Sequence, residues 1–190
     1  KTKICPLETS NLNGSFKFNS YSTLNFDVSS VYNDFISGQI KLNPYYSKVE
    51  AIRLVELEGF GFFELQDPEI ESDGIKEIKS LTAYSLEYTL SQKYLENLYI
   101  NKGTVDSVEV LYMEEHGNNT IIPVTFYNQN IPELSLLHLI LEKAYGWKIG
   151  HVDTALKTMS RQFEVERESV YDFIMNEICK QFNCYAVFDT

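Results

Sequence analysis

The sequence predicts an α+β fold, mostly antiparallel β, with two or three helices. Three observations predict it. Through the first two thirds of the chain, apolar and polar residues alternate in short runs, the signature of strands with one buried face. Turn-forming dipeptides separate those runs at hairpin distances. The final third changes to apolar spacings of three and four residues, the helical period, and strands followed by helices define an α+β class.

The first strand signal runs from Ser15 to Val28, where Phe16, Phe18, Leu24, Phe26 and Val28 alternate with polar residues. Asn43-Pro44 breaks the chain before Val49–Leu57, a more buried strand carrying Val49, Ile52, Leu54 and Val55. Glu58-Gly59-Phe60-Gly61 supplies the glycines for a tight reversal, and Phe62–Gln66 returns beside it. Asp73-Gly74 is a second turn signal within the polar stretch Asp67–Ile75. It leads into Glu77–Leu90, which reads as one long strand bent near Ala83. Ser91 is an N-cap candidate for a short helix through Leu98, with Leu95 and Leu98 on one side. A last hairpin takes Val105–Met113 through a turn at Gly117-Asn118-Asn119 and back along Ile121–Phe126.

Pro132 then opens a helix whose apolar residues are Leu134, Leu137, Leu141 and Ala144/Tyr145, with Gly146 just past its end. A second helix starts near Ser169, carries Val170, Phe173, Ile174, Ile178 and Phe182 along one stripe, and stops at Asn183. Tyr185–Phe188 reads as a buried strand. The organisation is a β-rich region over residues 1–130, followed by a helix–helix–strand segment over 131–190 that packs on it. The chain begins with Lys1 and stops at Asp189-Thr190 directly after the last predicted strand, so it reads as a piece of a longer protein.

Composition narrows the function. With 190 residues, 44% of them hydrophobic, the chain can bury a sizeable core. No apolar run approaches the roughly 20 residues of a membrane span, and Lys1–Pro6 lacks the apolar stretch of a signal peptide. A formal net charge of -11 argues against specific or bulk nucleic-acid binding, because phosphates reward a basic footprint. Three cysteines, Cys5, Cys179 and Cys184, make a poor disulfide framework and suit a cytosolic folding compartment. Thirteen Tyr and twelve Phe favour pleated surfaces and interfaces.

Each reactive constellation competes with a plainer reading. Cys179 and Cys184 are small buried hydrophobes unless a thiolate sits beside His138 or His151, and no spacing requires that. His138 and Glu142, four apart on the first helix, and His151 with Asp153 offer two metal ligands each, too few to specify a site. Glu64, Asp67, Glu69, Glu71 and Asp73 include pairs that strand alternation brings together, as glycosidase chemistry needs, but an acidic run beside an Asp-Gly turn is ordinarily a solvated loop. Asn13-Gly14-Ser15 and Asn118-Asn119-Thr120 match a glycosylation pattern and read as turns. No residue is therefore assigned a catalytic, cofactor-binding or metal-binding role.

Two stretches carry a family pattern. Gly61-Phe62-Phe63-Glu64-Leu65 through Ile78–Tyr88, with its Thr82-Ala83-Tyr84-Ser85-Leu86-Glu87-Tyr88 run, resembles the N-terminal region of tail proteins from phages and prophages of Gram-positive bacteria. Trp147-Lys148-Ile149-Gly150-His151-Val152-Asp153, Arg161-Gln162-Phe163, Ser169–Phe173 and Phe188-Asp189-Thr190 are similar, in the same order, to a second pattern of the tail-associated lysin and prophage endopeptidase tail family. That resemblance implies a phage baseplate-hub-like fold of barrel-like lobes with a few helices, and a structural role at the tail tip, in a homotrimeric ring that continues the tail tube and anchors the tip. It implies the distal tail protein and other tail-tip components as partners, the virion tail as location, no cofactor, and no catalytic residue in this region. Around His151 and Asp153, Trp147 and Gly150 suggest a turn packing a helix end against the sheet. An acidic channel wall would repel passing DNA. Two other classes stay open: a cell-wall hydrolase fragment, and a carbohydrate-binding module for host recognition.

Overall fold

Leu24, Phe26 and Val28 are buried while the residues between them face outward, so a strand forms where the alternation is cleanest, β2 (Thr23–Ser29). In the computed structural model, which describes residues 7–17, 20–105, 108–115 and 118–189, the chain divides into two units between Tyr88 and Thr89.

The first unit is an open antiparallel sheet. β1 (Ser10–Ser15) pairs with β2, and β2 pairs along its length with β8 (Glu77–Ser85), setting Leu24 opposite Ala83 and Phe26 opposite Leu81. On the far side of β8 lie β6 (Gly61–Leu65) and β7 (Glu69–Ser72), with β5 (Leu54–Leu57) outside β6. Leu65 faces Ala83 and Glu69 faces Ser80, so four steps on one strand span three on the other. Pro68, which has no N–H for the ladder, lies within this bulge between β6 and β7. Leu24, Phe26, Val28, Val49, Phe63, Leu65, Leu81 and Ala83 form the core on one face of the sheet. A separate hairpin, β3 (Val31–Asn33) and β4 (Ile40–Leu42), stands beside it.

The second unit is a four-stranded antiparallel sheet in the order β11-β10-β9-β12, built from β9 (Tyr94–Val105), β10 (Val108–Glu115), β11 (Asn118–Pro123) and β12 (Phe163–Ser169). Helices accompany it. Ser135 caps α2 (Leu136–Glu142), whose Leu136 and Ile140 are buried in line with Ala144 beyond its end. The helix expected from Pro132 to Gly146 is shorter: Pro132–Leu134 is a separate 3₁₀ turn, and α2 is capped at Lys143. Its buried stripe is Leu136 and Ile140 in place of Leu134, Leu137 and Leu141, and Gly146, at φ 96°, turns the chain beyond its end. Asp153 caps a single turn, α3 (Thr154–Lys157), and Ser169 caps the last helix. That helix, α4, runs through Val170–Asp172, a π-wound stretch Phe173–Ile178 and Cys179–Gln181. The π winding sets Phe173 and Ile178, five apart, both into the core.

The α+β class with mainly antiparallel strands stands, but several expectations are corrected. Among the described residues no sheet closes into a barrel: the larger one has β1 at one edge and β5 at the other. The strand expected over Ser15–Val28 is two strands, since β1 ends at Ser15; Phe18 lies outside the described residues. Asn13-Gly14-Ser15 is strand rather than turn, and a Cβ at Gly14 would displace the outer edge of the Phe16 ring, 2.7 Å away. Only Leu54–Leu57 of the predicted Val49–Leu57 strand forms a strand. Val49 is a buried anchor, and Ile52 is exposed at φ 65°.

The long strand over Glu77–Leu90 ends at Ser85, and Tyr88–Ser91 forms one helical turn, α1. The helix expected from Ser91 to Leu98 is the first half of β9. Asn97, at φ 55°, switches the strand's face, so Leu95 and Leu98 are both buried at a spacing of three that imitates a helix. Tyr185–Phe188 forms no strand: it has no ladder partner, and Tyr185 and Val187 are 73% and 78% exposed. Where the sequence suggests a boundary near residue 130, the strands before it and the helices after it share one unit, because β12 pairs with β9. β12 itself carries a legible alternation, Phe163 and Val165 inward with Glu164 and Glu166 outward, that motif reading passed over.

Candidate functional site

The outer face of the first sheet is polar because its other face is core, and alternation sends every second side chain outward. On β2 and β8 the outward residues stand in facing pairs, Asn25 opposite Thr82 and Asp27 opposite Ser80. They are fastened to one another. The Ser80 hydroxyl donates to Asp27 Oδ1 at 2.8 Å and the Thr82 hydroxyl to Asn25 Oδ1 at 2.9 Å. From β1, the Asn11 amide donates to Asp27 Oδ2 at 2.5 Å, while the Asn25 amide donates to Asn13 Oδ1 at 3.4 Å. Asp67 and Glu69, carried by the bulge, close the opposite wall of a cleft of about 270 Å³. The Ser80 and Thr82 hydroxyl protons are spent within the network, while each asparagine amide carries a second N–H, so the cleft offers carboxylate and carbonyl acceptors with amide donors beside them. Two residues further along β8, Tyr84 packs against Tyr21 and Tyr88, with ring centroids 5.5 and 4.3 Å away.

The structure brings some of the sequence candidates together and separates others. Asp67 and Glu69 meet at the cleft with Asp27, which sequence reading did not single out because its partners come from three strands. Glu69 and Glu71 do share a face of β7, opposite Ser80 and Ile78, while Glu64 stands opposite Tyr84. Asp73 is a turn anchor: its Oδ1 accepts from the Ile75 and Lys76 amides at 2.9 and 2.8 Å, and these bonds hold its carboxyl below the usual carboxylate range.

His138, Glu142, His151 and Asp153 form no common site. The His138 ring stacks on Tyr127 at 5.4 Å, and its Nδ1 is buried without a hydrogen-bond partner among the described residues. Glu142 and His151 are exposed, and Asp153 spends its carboxylate on the Ala155 amide at 2.9 Å. Among the described residues no group of three or more His, Cys, Asp or Glu could hold a metal ion. Trp147, beside His151 in sequence, donates its indole N–H to Thr89 Oγ1 at 3.2 Å and meets Phe188 edge-on at 5.7 Å, an anchoring role. Cys179 and Cys184 are free, half-buried thiols at the end of α4, and Cys5 lies outside the described residues.

The first unit also exposes apolar side chains away from the cleft. Phe35 and Ile36 sit at the tip of the β3–β4 hairpin, Ile40 and Leu42 along β4, and Ile52, Leu54 and Phe60 on or beside the edge strand β5. Fold and surface together define an open antiparallel α+β protein with a polar cleft and an apolar hairpin tip. No protein-family model, curated protein or solved structure matches the chain. No helix among the described residues is long and apolar enough to cross a membrane.

Proposed function

We propose that the chain is a structural subunit of a phage or prophage tail tip, a baseplate-hub module that assembles as a homotrimer, continues the tail tube and meets the distal tail protein. The sequence resemblance supplies the identity of the machine. The observation that carries the reading is the hairpin tip, where Phe35 and Ile36 are 101% and 99% exposed, beside the exposed Ile40 and Leu42 of the same hairpin. A phenylalanine and an isoleucine wholly in water are unfavourable for a free monomer and suit a surface that a partner covers. Ile52 adds to this: a β-branched residue at positive φ is strained, and strain is retained where function calls for it. In this reading the chain does no chemistry of its own and works in the virion tail.

Light scattering after size exclusion, over a concentration series, tests the proposal. The expected result is a species near three times 22.0 kDa that a Phe35→Asp/Ile36→Asp double variant dissociates. A monomer at every concentration, with the double variant unchanged, would count against it.

A second reading, saccharide recognition, is favoured by the cleft. Its preset acceptors and the neighbouring Tyr84 cluster suit hydroxyl donors and the apolar face of a sugar ring. Binding on a glycan array that Asp27→Asn and Asp67→Asn abolish would support it, and binding untouched by those changes would exclude the cleft.

A further inference from the structure

The last helix ends in a pattern that places two thiols in contact. Asn183 adopts a left-handed φ of 50°. The Cys184 amide then donates to the Cys179 carbonyl at 3.0 Å, and the Asn183 amide donates to the Lys180 carbonyl at 3.3 Å. These are the six-to-one and five-to-two bonds of a Schellman cap, in which the side chains of the first and sixth residues meet. Here both are cysteines, and the Cys179 thiol is the hydrogen-bonding neighbour of Cys184. Two small hydrophobes would serve the cap equally well, but they would be expected to be buried. Both thiols are instead half-exposed, within reach of a small oxidant.

We propose that Cys179 and Cys184 are a redox modification site, a dithiol that closes to an intramolecular disulfide across the end of α4 when the oxidant is a low-molecular-weight disulfide such as oxidised glutathione. The Cys179 thiolate attacks one sulfur of the oxidant, the oxidant's S–S bond breaks, and one glutathione thiolate leaves and takes up a proton. The Cys184 thiolate then attacks the Cys179 sulfur in the mixed disulfide, releasing the second glutathione, which takes up the other proton. Two protein thiols are oxidised and one glutathione disulfide is reduced to two thiols. Burial and the neighbouring Cys179 push the Cys184 thiol above its ordinary value, which lowers its thiolate fraction at neutral pH, so the second step is driven by the proximity that the cap imposes.

Closure pins Asn183 in its left-handed state and fixes the direction in which residues 184–189 leave the helix. That segment holds Phe188 against Trp147 and Tyr171, at 5.7 and 6.0 Å between ring centroids. The disulfide therefore tightens a segment that has no ladder of its own. Nothing in this chemistry depends on the tail-tip reading.

The test treats the reduced full chain with oxidised glutathione at neutral pH and reads intact mass, free thiols and the cross-linked peptide. The expected result is loss of two thiols with no glutathione retained, a cross-link between Cys179 and Cys184, and slower amide exchange at residues 184–188. Cys5→Ser should behave as the parent does, and Cys184→Ser should stop with glutathione bound at Cys179. A parent chain that keeps glutathione adducts, cross-links through Cys5, or leaves both thiols unreacted would overturn the proposal. The parent chain alone distinguishes these outcomes, so a variant that folds poorly does not weaken the test.

Discussion

Lys79 occupies an inward position of β8, opposite Val28, where only an apolar residue would be expected, and it is 8% exposed. Its ammonium donates to the Val49 carbonyl at 2.7 Å and to the Tyr46 carbonyl at 3.1 Å, and lies 4.5 Å from the centre of the Tyr46 ring. The short 3₁₀ turn Tyr46–Lys48 makes few backbone bonds of its own, so this one side chain fastens it to the sheet. Lys79→Met keeps the aliphatic stem and removes the donors, leaving the Val49 carbonyl short of a partner and the Tyr46 carbonyl with the Val49 amide at 3.2 Å. A hydrogen bond from a charged donor contributes about 1.5–3 kcal/mol, and a partly desolvated cation–π contact about 1–2 kcal/mol. Relief from burying an ammonium offsets part of that sum. The expected net loss is about 2 kcal/mol, read as a lower urea midpoint by backbone circular dichroism at unchanged slope. Amide exchange at Tyr46–Val49 should rise by more than in the rest of the first unit. A Lys79→Met protein as stable as its parent, with that exchange unchanged, would refute the claim that the ammonium holds the segment.

Three further outcomes follow from the same geometry. Ile52→Asn should raise stability by about 1 kcal/mol, because a left-handed β-branched residue costs about 1–2 kcal/mol that asparagine largely avoids; a lower midpoint would show that the isoleucine makes a needed contact. Ser169→Ala should cost about 1 kcal/mol, since its Oγ accepts the Asp172 amide at 3.0 Å as the N-cap of α4, and denaturant unfolding followed by Trp147 fluorescence measures it. Asp34, at the base of the β3–β4 loop, accepts from Lys41, from the Ser37 hydroxyl at 2.8 Å and from the Ile36 amide at 3.0 Å, which together lower its carboxyl from 3.8 to about 2. Since the folded value is depressed, its contribution to loop order is complete above pH 3.8 and disappears as the pH falls through about 2. Carboxyl NMR should give that midpoint, and Lys41→Ala should move it upward; an unmoved midpoint would show that the lysine is not the main cause.

The outer-face cleft illustrates why its members escaped motif reading. Asp27 is unremarkable in sequence, one outward residue of an alternating strand. It becomes the centre of a network only because β1, β2 and β8 bring Asn11 and Ser80 to its two oxygens, from 16 and 53 residues away. Asp67 and Glu69 were visible as part of an acidic run, but their separation from Asp27 depends on the bulge at Pro68, a property of pairing rather than of composition.

By itself the sequence determined whatever follows from local period and local chemistry. It determined β2 and the inner half of β8, the β5–β6 and β7–β8 reversals at Gly59 and Asp73-Gly74, and the start of α4 at Ser169 with its stop at Asn183. Each depends on residues within a few positions of one another, so a single window contains the cause. Tertiary structure alone decided where a local pattern had two readings or its partner lay far away. Leu95 and Leu98 fit a helix until pairing with β12 and a left-handed Asn97 make them strand. Tyr185–Phe188 alternates like a strand but finds no ladder, since extended backbone becomes sheet only when a neighbour accepts its hydrogen bonds. Lys79 looks like a misplaced surface residue until two carbonyls, at positions 46 and 49, fold over it.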